Sequence, residues 1–342
     1  MKKTIYFFDE ESELDVQLKM YDVYMEEGDF EAAYKWCNKA ALGGDAESQA
    51  SLGVMLATGQ GVKTDLAEAE KWYRLAASQG NASGQFNLGV MYYFGFRVEK
   101  NYTQAAYFYD LAAVQGHSRA LFNLGKLYLN GEGVVKNEWT AVEYYEKAVK
   151  AGRTEASFEL GKLYEYGGHV WQEEEYKLSS RLRIRQRVEK IANRAAHIET
   201  DLLDELRTGP KRDNDWLQAE VKLVHNNTLG PSKDIAEAIK WYQLTAEQGY
   251  VEAQKKLGNI YSSQLNSEFD HAKATHWFAL AAEQGDVEAQ FGLAFKLLGG
   301  PDIESDLQGA YKWFSAAAKF DYKDAAKWRD HLATEISKKR LN

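Results

Sequence analysis

Two glycine-rich segments have the residue types of a phosphate-binding loop. They read GEGVVK from Gly131 and GQGVKT from Gly59, and backbone amides in such loops can bind phosphate oxygens. A phosphate-binding loop must join a strand to a helix, whereas each of these segments lies between two helical patterns and recurs along the chain. We therefore interpret both segments as turns of a repeating structure.

The other residues that could support chemistry do not form a recognisable site. His271 and His276 are five positions apart, so on a helix they point to different sides and do not share a metal ion. Cys37 lies in the helical run AAYKWCNKAAL and is expected to be packed, and carboxylate runs such as 173–175 are common in an acidic chain. The sequence predicts no catalytic residue, no cofactor and no metal, so we do not expect an enzyme.

The elements that carry these residues repeat at a fixed interval. Glycines recur every 36 residues, at Gly44, Gly80, Gly116 and Gly152 and again at Gly249 and Gly285. Leu-Gly pairs keep the same step at Leu52-Gly53, Leu88-Gly89, Leu124-Gly125 and Leu160-Gly161. A period of roughly 20–50 residues with helical composition indicates stacked helix pairs. The sequence predicts an all-α fold, a right-handed α-solenoid of about eight stacked helix pairs, one of them with an elongated helix.

The unit HSRALFNLGKLYLNGEGVVKNEWTAVEYYEKAVKAG shows how one pair forms. Ala120, Leu124 and Leu127 share one face of a first helix, helix A, and Gly125 lets a neighbouring helix approach closely. A second helix, helix B, follows the turn, and Gly152 ends it. Helix B carries a large ring in register, which predicts a core position at Trp36, Trp72, Phe108, Tyr144, Trp241, Trp277 and Trp313.

These units resemble the Sel-one-like repeat, a branch of the tetratricopeptide superfamily found in bacteria and eukaryotes. The resemblance rests on AESQASLGVMLATGQGVKTDLAEAEKWYRLAASQG and its copies, and it covers nearly the whole chain. It implies a helical solenoid that acts as an adaptor or scaffold. Some bacterial members of the family are immunity proteins, and the resemblance favours a bacterial source.

The resemblance also implies a binding groove lined by helix A. Its positions lie two before, two after and five after the Leu of each Leu-Gly pair, and they share one helix face. Carried over by register, they are Phe86, Val90, Tyr93, Phe122, Lys126, Leu129, Phe158, Lys162 and Glu165, with Phe291 and Phe295 continuing the set.

Two interpretations of the groove phenylalanines remain open. The rings could bind an apolar peptide or protein edge, or they could cover one another between adjacent helices. Lys126 and Lys162 indicate an anionic or C-terminal carboxylate contact, because lysine is seldom fully buried. Lys255 departs from the pattern and interrupts the groove.

The repeat period breaks after Gly152, which sets the predicted domain organisation. We expect a capping helix pair at 1–44, three regular repeats at 45–152 and a repeat with an inserted long helix at 153–213. Three further repeats, the first of them degenerate, follow at 214–320, and a capping helix at 321–342 ends the chain. The inserted helix is predicted from about Glu173 to Leu206, where the sequence holds no glycine or proline.

The predicted long helix separates its charges. Basic residues fill its first part, including Arg183, Arg187 and Arg194, and acids cluster after Glu199. This face could be solvated or ion-paired within the chain, or it could dock an acidic partner. A seam of Ile184, Val188 and Ile191 at heptad spacing could pack on the array or on a partner.

Composition favours a soluble protein that does not bind nucleic acid, since the formal net charge is −9. The apolar run after Lys2-Lys3 is five residues long and is cut by Asp9, too short for a signal peptide. The sequence offers no lipid-acceptor cysteine and no membrane span, so we expect no membrane insertion and a cytoplasmic location.

Two functions follow from this interpretation. The first is a non-enzymatic interaction module that binds one or more protein partners through the groove, the long helix or both. The alternative is a bacterial immunity protein that tightly binds and neutralises a secreted toxin, for example a type VI secretion effector. The sequence does not distinguish these functions and does not predict the oligomeric state.

Overall fold

The computed structural model describes residues 12–167, 230–264, 267–299 and 304–341. Every regular element in these ranges is a helix, fifteen in all, and neighbouring helices pack together as pairs. The chain divides into two compact units, Met1–Arg153 with His169–Gly230 and Thr154–Gly168 with Pro231–Asn342. The predicted all-α helical repeat is confirmed. The predicted long helix lies outside the described residues.

In the first unit, the described residues 12–153 contain four helix pairs. They are α1 (Glu13–Glu27) with α2 (Phe30–Leu42), α3 (Ala46–Thr58) with α4 (Leu66–Ser78), α5 (Ala82–Phe94) with α6 (Tyr102–Val114), and α7 (Ser118–Asn130) with α8 (Glu138–Lys150). The odd-numbered helices of the pairs above are their helices A, and α3 also packs on α5. Phe86 of α5 stacks on His117, the residue before α7, so these three helices A follow one another in the stack.

The second unit contains three pairs and a last single helix. They are α9 (Glu155–Tyr166) with α10 (Ile235–Ala246), α11 (Val251–Ser262) with α12 (His271–Glu283), α13 (Val287–Leu297) with α14 (Leu307–Ala318), and α15 (Ala325–Leu341). The pairing of α9 with α10 joins segments that the sequence analysis placed in different repeats, 153–213 and 214–320. Helix α9 thus has its helix B in α10.

Most helices begin at a side-chain cap and the repeats end at a glycine. Asp or Asn precedes the first turn in nearly every repeat, as where the Asn81 side chain accepts from the Gly84 backbone N–H at 2.8 Å. The periodic glycines after helix B all have positive φ, from 81° at Gly116 to 97° at Gly44. This left-handed conformation favours glycine, which explains why the period is kept at this residue.

The deepest core position in five repeats is a ring of helix B that lies against the glycine of helix A. These rings are at most 5 % exposed, and they are Tyr73, Tyr109, Tyr145, Tyr242 and Phe278. Phe314 holds the same position in the last pair, where Ala294 replaces the glycine. A Cβ on Gly125 would lie 2.6 Å from the Tyr145 ring, and the Leu-Gly glycine is equally confined in the other repeats. Glycine at this position therefore sets the spacing between the two helices of a pair.

The predicted core column lies one residue before this position, and it is only partly correct. Phe108 and Trp277 are buried, at 2 % and 7 % exposure. The others are half-buried, and they are Trp36, Trp72, Tyr144, Trp241 and Trp313. Cys37 occupies the deepest position in its repeat, and burial raises the pKa of its thiol to about 12. The packed cysteine that the sequence predicts is thus confirmed.

A glutamine ladder also fixes the repeats. The helix B glutamine donates from Nε2 to the Oε1 of a helix A glutamine at 2.8 Å in the pairs Gln79–Gln49, Gln115–Gln85 and Gln284–Gln254. The helix A glutamine donates in turn to the last turn of the preceding helix B, as from Gln254 to the Ala246 carbonyl at 3.0 Å. Because the helix A glutamines Gln49, Gln85 and Gln254 are buried, each must find hydrogen-bond partners, and the ladder supplies them.

Candidate functional site

The groove phenylalanines pack inside the stack. Each ring lies 5.4–5.7 Å from the deep ring of its own helix B, in the pairs Phe86–Tyr109, Phe122–Tyr145, Phe158–Tyr242 and Phe291–Phe314. Each also meets the residue that precedes the next helix A, namely His117, Arg153, Tyr250 and Tyr322. Phe86 is 8 % exposed and the others are half-buried. Of the two interpretations, mutual covering describes these contacts better.

The lysine that interrupts the phenylalanine column, Lys255, forms ion pairs where the phenylalanines of the column make ring contacts. Lys255 Nζ lies 3.0 Å from Glu252, 3.2 Å from Asp286 and 3.3 Å from Glu288, and the side chain is 12 % exposed. Burial opposes its charge, but hydrogen bonds to Glu252 and Asp286 outweigh burial and raise the pKa of Lys255. The departure at Lys255 therefore replaces a ring contact with an ion-pair cluster between α11 and the start of α13.

The two predicted groove lysines differ in their surroundings. Lys162 Nζ forms an ion pair with Glu159 at 2.6 Å and lies over the Phe158 ring. Lys126 is exposed, and its Nζ lies 6.0 Å from the centre of the Phe122 ring. Within the described part of the chain Lys126 has no acidic partner within 4.0 Å. Of the two predicted anion contacts, only Lys126 presents an uncompensated charge.

A second exposed cation lies on the same face of α7. Arg119 is seven positions before Lys126, which places the two side chains on one side of the helix. Arg119 too has no ion pair within 4.0 Å among the described residues. The guanidinium of Arg153 covers the Phe122 ring at 5.3 Å. The face of α7 thus combines two uncompensated cations with a half-buried aromatic ring and a third cation.

The positive charge on this face of α7 affects the neighbouring His117. His117 precedes α7, stacks on Phe86 at 4.6 Å between ring centres and accepts from the Ala120 N–H through Nδ1 at 3.3 Å. Burial lowers the pKa of His117, and the positive charge of Arg119 lowers it further. Burial is the larger of these two causes, and Arg119 adds to it, so the neutral imidazole is favoured.

Apolar positions continue the row in the first unit. Val54 on α3 is 37 % exposed and Val90 on α5 is half-buried, and both stand at the register of Lys126. Leu129 and Tyr93 are half-buried, and the Tyr93 hydroxyl donates to Glu132 Oε2 at 3.4 Å. The row of helices A therefore offers an apolar strip that ends at the cations of α7. We call the exposed side of Val54, Val90, Arg119, Phe122 and Lys126 the α7 face.

The other predicted residues that the structure describes here, Glu165 and Phe295, pack elsewhere. Glu165 accepts from the Tyr242 hydroxyl at 2.6 Å and from Lys256 Nζ at 2.9 Å, so it ties α9 to α10 and α11. Phe295 packs on Phe314 and Trp328 near the last helix. Arg183, Arg187 and Arg194 lie outside the described residues.

Sequence reasoning missed Arg119 and Arg153. In other repeats the position of Arg119 holds Glu47, Ser83 and Glu252, and that of Arg153 holds Asp286. The sequence signal that could have identified them is a basic residue at a repeat position that is acidic or neutral in the repeats named. Among the described residues, no cluster of three or more His, Cys, Asp or Glu side chains could hold a metal ion, and no helix is long and apolar enough to cross a membrane.

The sequence matches the family model of the Sel1 repeat in eight segments that together span more than half of the chain. They are residues 21–45, 46–81, 82–117, 118–152, 154–170, 228–250, 251–286 and 287–319. The two segments at 154–170 and 228–250 contain the paired helices α9 and α10. No curated protein matches the sequence.

Three solved structures illustrate what the chain is similar to. A Sel1 repeat protein from Oxalobacter formigenes is 25 % identical with a TM-score of 0.59, over 88 % of this chain and 99 % of that one. The protein c5321 of uropathogenic Escherichia coli, a protective antigen with an SLR fold, is 34 % identical with a TM-score of 0.43, over 89 % and 68 %. The immunity protein Pa5087 of Pseudomonas aeruginosa is 17 % identical with a TM-score of 0.33, over 82 % and 86 %. With TM-scores below 0.5, the last two support no argument about function.

Proposed function

The chain belongs to the Sel1 repeat family, and we propose that it is a non-enzymatic interaction module whose α7 face binds an acidic segment of a protein partner. The observation that carries this proposal is the pair of exposed, uncompensated cations Arg119 and Lys126 beside the half-buried Phe122 ring. Cations left unpaired on a surface gain most from a carboxylate that a partner brings.

The apolar strip defines the rest of the partner segment. Val54 and Val90 lie at the register of Lys126 on the two preceding helices A, so a bound segment would meet apolar side chains before it meets the cations. Apolar contact supplies affinity while the charge pairs set orientation and register. The expected ligand is a short segment with an apolar part followed or preceded by Asp or Glu.

A selection of short random peptides displayed on phage, with the full-length protein as target, tests the proposal. We expect the retained peptides to be enriched in Asp and Glu. Their dissociation constants, measured by fluorescence anisotropy, should rise at least about tenfold in the double variant Arg119→Glu, Lys126→Glu, which corresponds to about 1.4 kcal/mol. Binding to the wild type should also weaken with added salt.

Lys162→Glu is the matched control. It changes a lysine at the same register, but that lysine is already paired with Glu159 at 2.6 Å, so peptide affinity should stay within about twofold. Peptides without acid enrichment, or an unchanged affinity in the double variant, would contradict the proposal. A single partner held tightly would fit an immunity role, and several partners held loosely would fit a scaffold.

A further inference from the structure

The turn between α5 and α6 differs at three positions from the turns that follow α3 and α7. The turn after α3 reads Thr58-Gly59-Gln60-Gly61-Val62, and the one after α7 reads Asn130-Gly131-Glu132-Gly133-Val134. The turn after α5 reads Phe94-Gly95-Phe96-Arg97-Val98. Two polar residues are thus replaced by phenylalanine, and a glycine by arginine.

The two phenylalanines are exposed and stacked on each other. Phe94 is 58 % exposed and Phe96 is 47 % exposed, with ring centres 5.3 Å apart and planes 20° apart. Tyr93 meets Phe94 edge to face at 4.9 Å and Tyr102 at 5.2 Å. Two large rings held in water at a turn contribute little to folding, so their position favours contact with another molecule.

Arg97 holds a backbone conformation that suits glycine. Its φ is 65°, close to the 72° of Gly61 and Gly133 at the same position. A Cβ on Gly61 would collide with the Phe30 backbone, and one on Gly133 with the Tyr102 backbone. An arginine at this place is strained, and strain that packing does not require points to a role for the side chain.

The charges beside the rings define the chemistry of the occupant. Arg97 and Lys100 are exposed, and the Lys100 ammonium lies 4.6 Å from the centre of the Tyr102 ring. Arg97 has no ion pair within 4.0 Å among the described residues, and Glu99 is the exposed acid of this turn. The Asp65 carboxylate, which caps α4, lies near Arg97: its pKa is lowered mainly by the Glu68 N–H and in part by Arg97. The turn's own Arg97, Lys100 and Glu99 therefore sum to one positive charge, and the guanidinium keeps room for a second carboxylate.

We propose that the α5–α6 turn, through Phe94, Phe96 and Arg97, is a second docking surface for a partner segment that carries a large apolar side chain beside a carboxylate. The apolar side chain packs on the stacked rings, and the carboxylate pairs with the Arg97 guanidinium. A bilayer fits less well, because the net negative charge of the chain opposes an anionic surface. The proposal does not depend on the α7 face.

The chain itself supplies the variant that tests this surface. Phe94→Asn, Phe96→Glu and Arg97→Gly together install the residues of the turn after α7, which already fold in the same setting. Circular dichroism should show unchanged helicity and an equal or higher melting midpoint, because a glycine relieves the positive φ. A lower midpoint would contradict the strain argument.

The binding test uses phage-displayed random peptides that are selected on the wild type and then depleted on this triple variant. We expect survivors that combine Leu, Phe or Trp with Asp or Glu, and affinities at least tenfold weaker for the triple variant. The variant Arg119→Glu, Lys126→Glu should bind the same survivors normally, which separates this surface from the α7 face.

Four outcomes would overturn the proposal. Depletion could leave no peptide above background, or it could leave basic peptides, which would contradict the charge argument. Light scattering after gel filtration could show a dimer that the triple variant abolishes, which would make a second copy the occupant. Sedimentation with phosphatidylcholine–phosphatidylserine vesicles that the triple variant abolishes would make a membrane the occupant.

Discussion

Helices α7 and α11 occupy the same place in two repeats but arrange opposite charges there. Around Phe122 on α7 lie the cations Arg119, Lys126 and Arg153. Around Lys255 on α11, which stands at the register of Phe122, lie the acids Glu252, Asp286 and Glu288. The second set neutralises its own central charge, whereas Arg119 and Lys126 of the first set have no acid within 4.0 Å among the described residues.

The packing beneath the two sites is the same. Gly125 of α7 meets the Tyr145 ring, and Gly258 of α11 meets the Phe278 ring, and a Cβ added to either glycine would lie less than 3 Å from the ring. One helix pair therefore tolerates either arrangement of surface charge without a change in its core. The comparison shows that surface positions of a repeat can change while its core is kept, and we propose that uncompensated charge, rather than charge alone, marks a binding face.

The largest effect on stability is expected from removing Lys255, the central cation of the ion-pair cluster on α11. Lys255→Met leaves three carboxylates close together with no cation among them, so we expect a loss of about 1–2 kcal/mol in the free energy of unfolding. Urea unfolding followed by circular dichroism measures this loss.

Lys126→Met is the matched control for that variant. Lys126 is exposed and unpaired among the described residues, so its removal should change stability by no more than about 0.5 kcal/mol. Equal losses in the two variants would mean that the two sites do not differ as the comparison states.

A smaller effect is expected from pH at the start of α7. Burial and then Arg119 lower the pKa of His117, while a backbone hydrogen bond and Glu47 oppose this. Because the folded pKa lies below the unfolded value of about 6.5, the stabilising contribution is complete above that value and is lost as pH falls through the folded pKa. Tyr250, which precedes α11, has no imidazole and forms no side-chain cap.

His117→Asn isolates this effect, because Asn81 caps α5 at the same register. Between pH 7 and 5 the wild type should lose more stability than the variant, because only the wild type has a histidine that is harder to protonate when folded. Urea unfolding at a series of pH values measures the difference. Parallel curves for the two proteins would show that His117 is not the titrating group.

The sequence predicted the repeat well because the repeat rests on local rules. The periodic glycines mark positive φ after helix B, and Gly125 marks a close approach of two helices, so both appear directly as residue types. The family and the helix pairs were therefore predictable. The deep ring was misplaced by one residue, because Tyr144 and Tyr145 are both aromatic and composition does not decide which one faces Gly125.

Features that depend on distant residues were not predictable. Helix α9 pairs with α10, although 68 residues lie between Tyr166 and Ile235, and contacts such as that of Gly161 with the Tyr242 ring reveal the match. We propose that segment 168–229 interrupts a single repeat between its two helices. The role of Arg183, Arg187 and Arg194 in that segment stays a prediction. The sequence predicted the same role for Lys126 and Lys162 and did not predict that they differ in ion pairing. Glu159 pairs with Lys162, whereas Asn123 stands at the corresponding position beside Lys126.

Residue-resolved acetylation tests most directly whether the α7 face binds an acidic segment. The full-length protein is treated with limiting N-hydroxysuccinimide acetate, with and without a saturating acidic peptide from the selection, and mass spectrometry follows Lys126, Lys162 and Lys255. We predict that Lys126 reacts faster than Lys255 in the free protein, and that the peptide slows Lys126 several-fold without affecting the other two. An unchanged rate at Lys126 in the saturated complex would contradict the account.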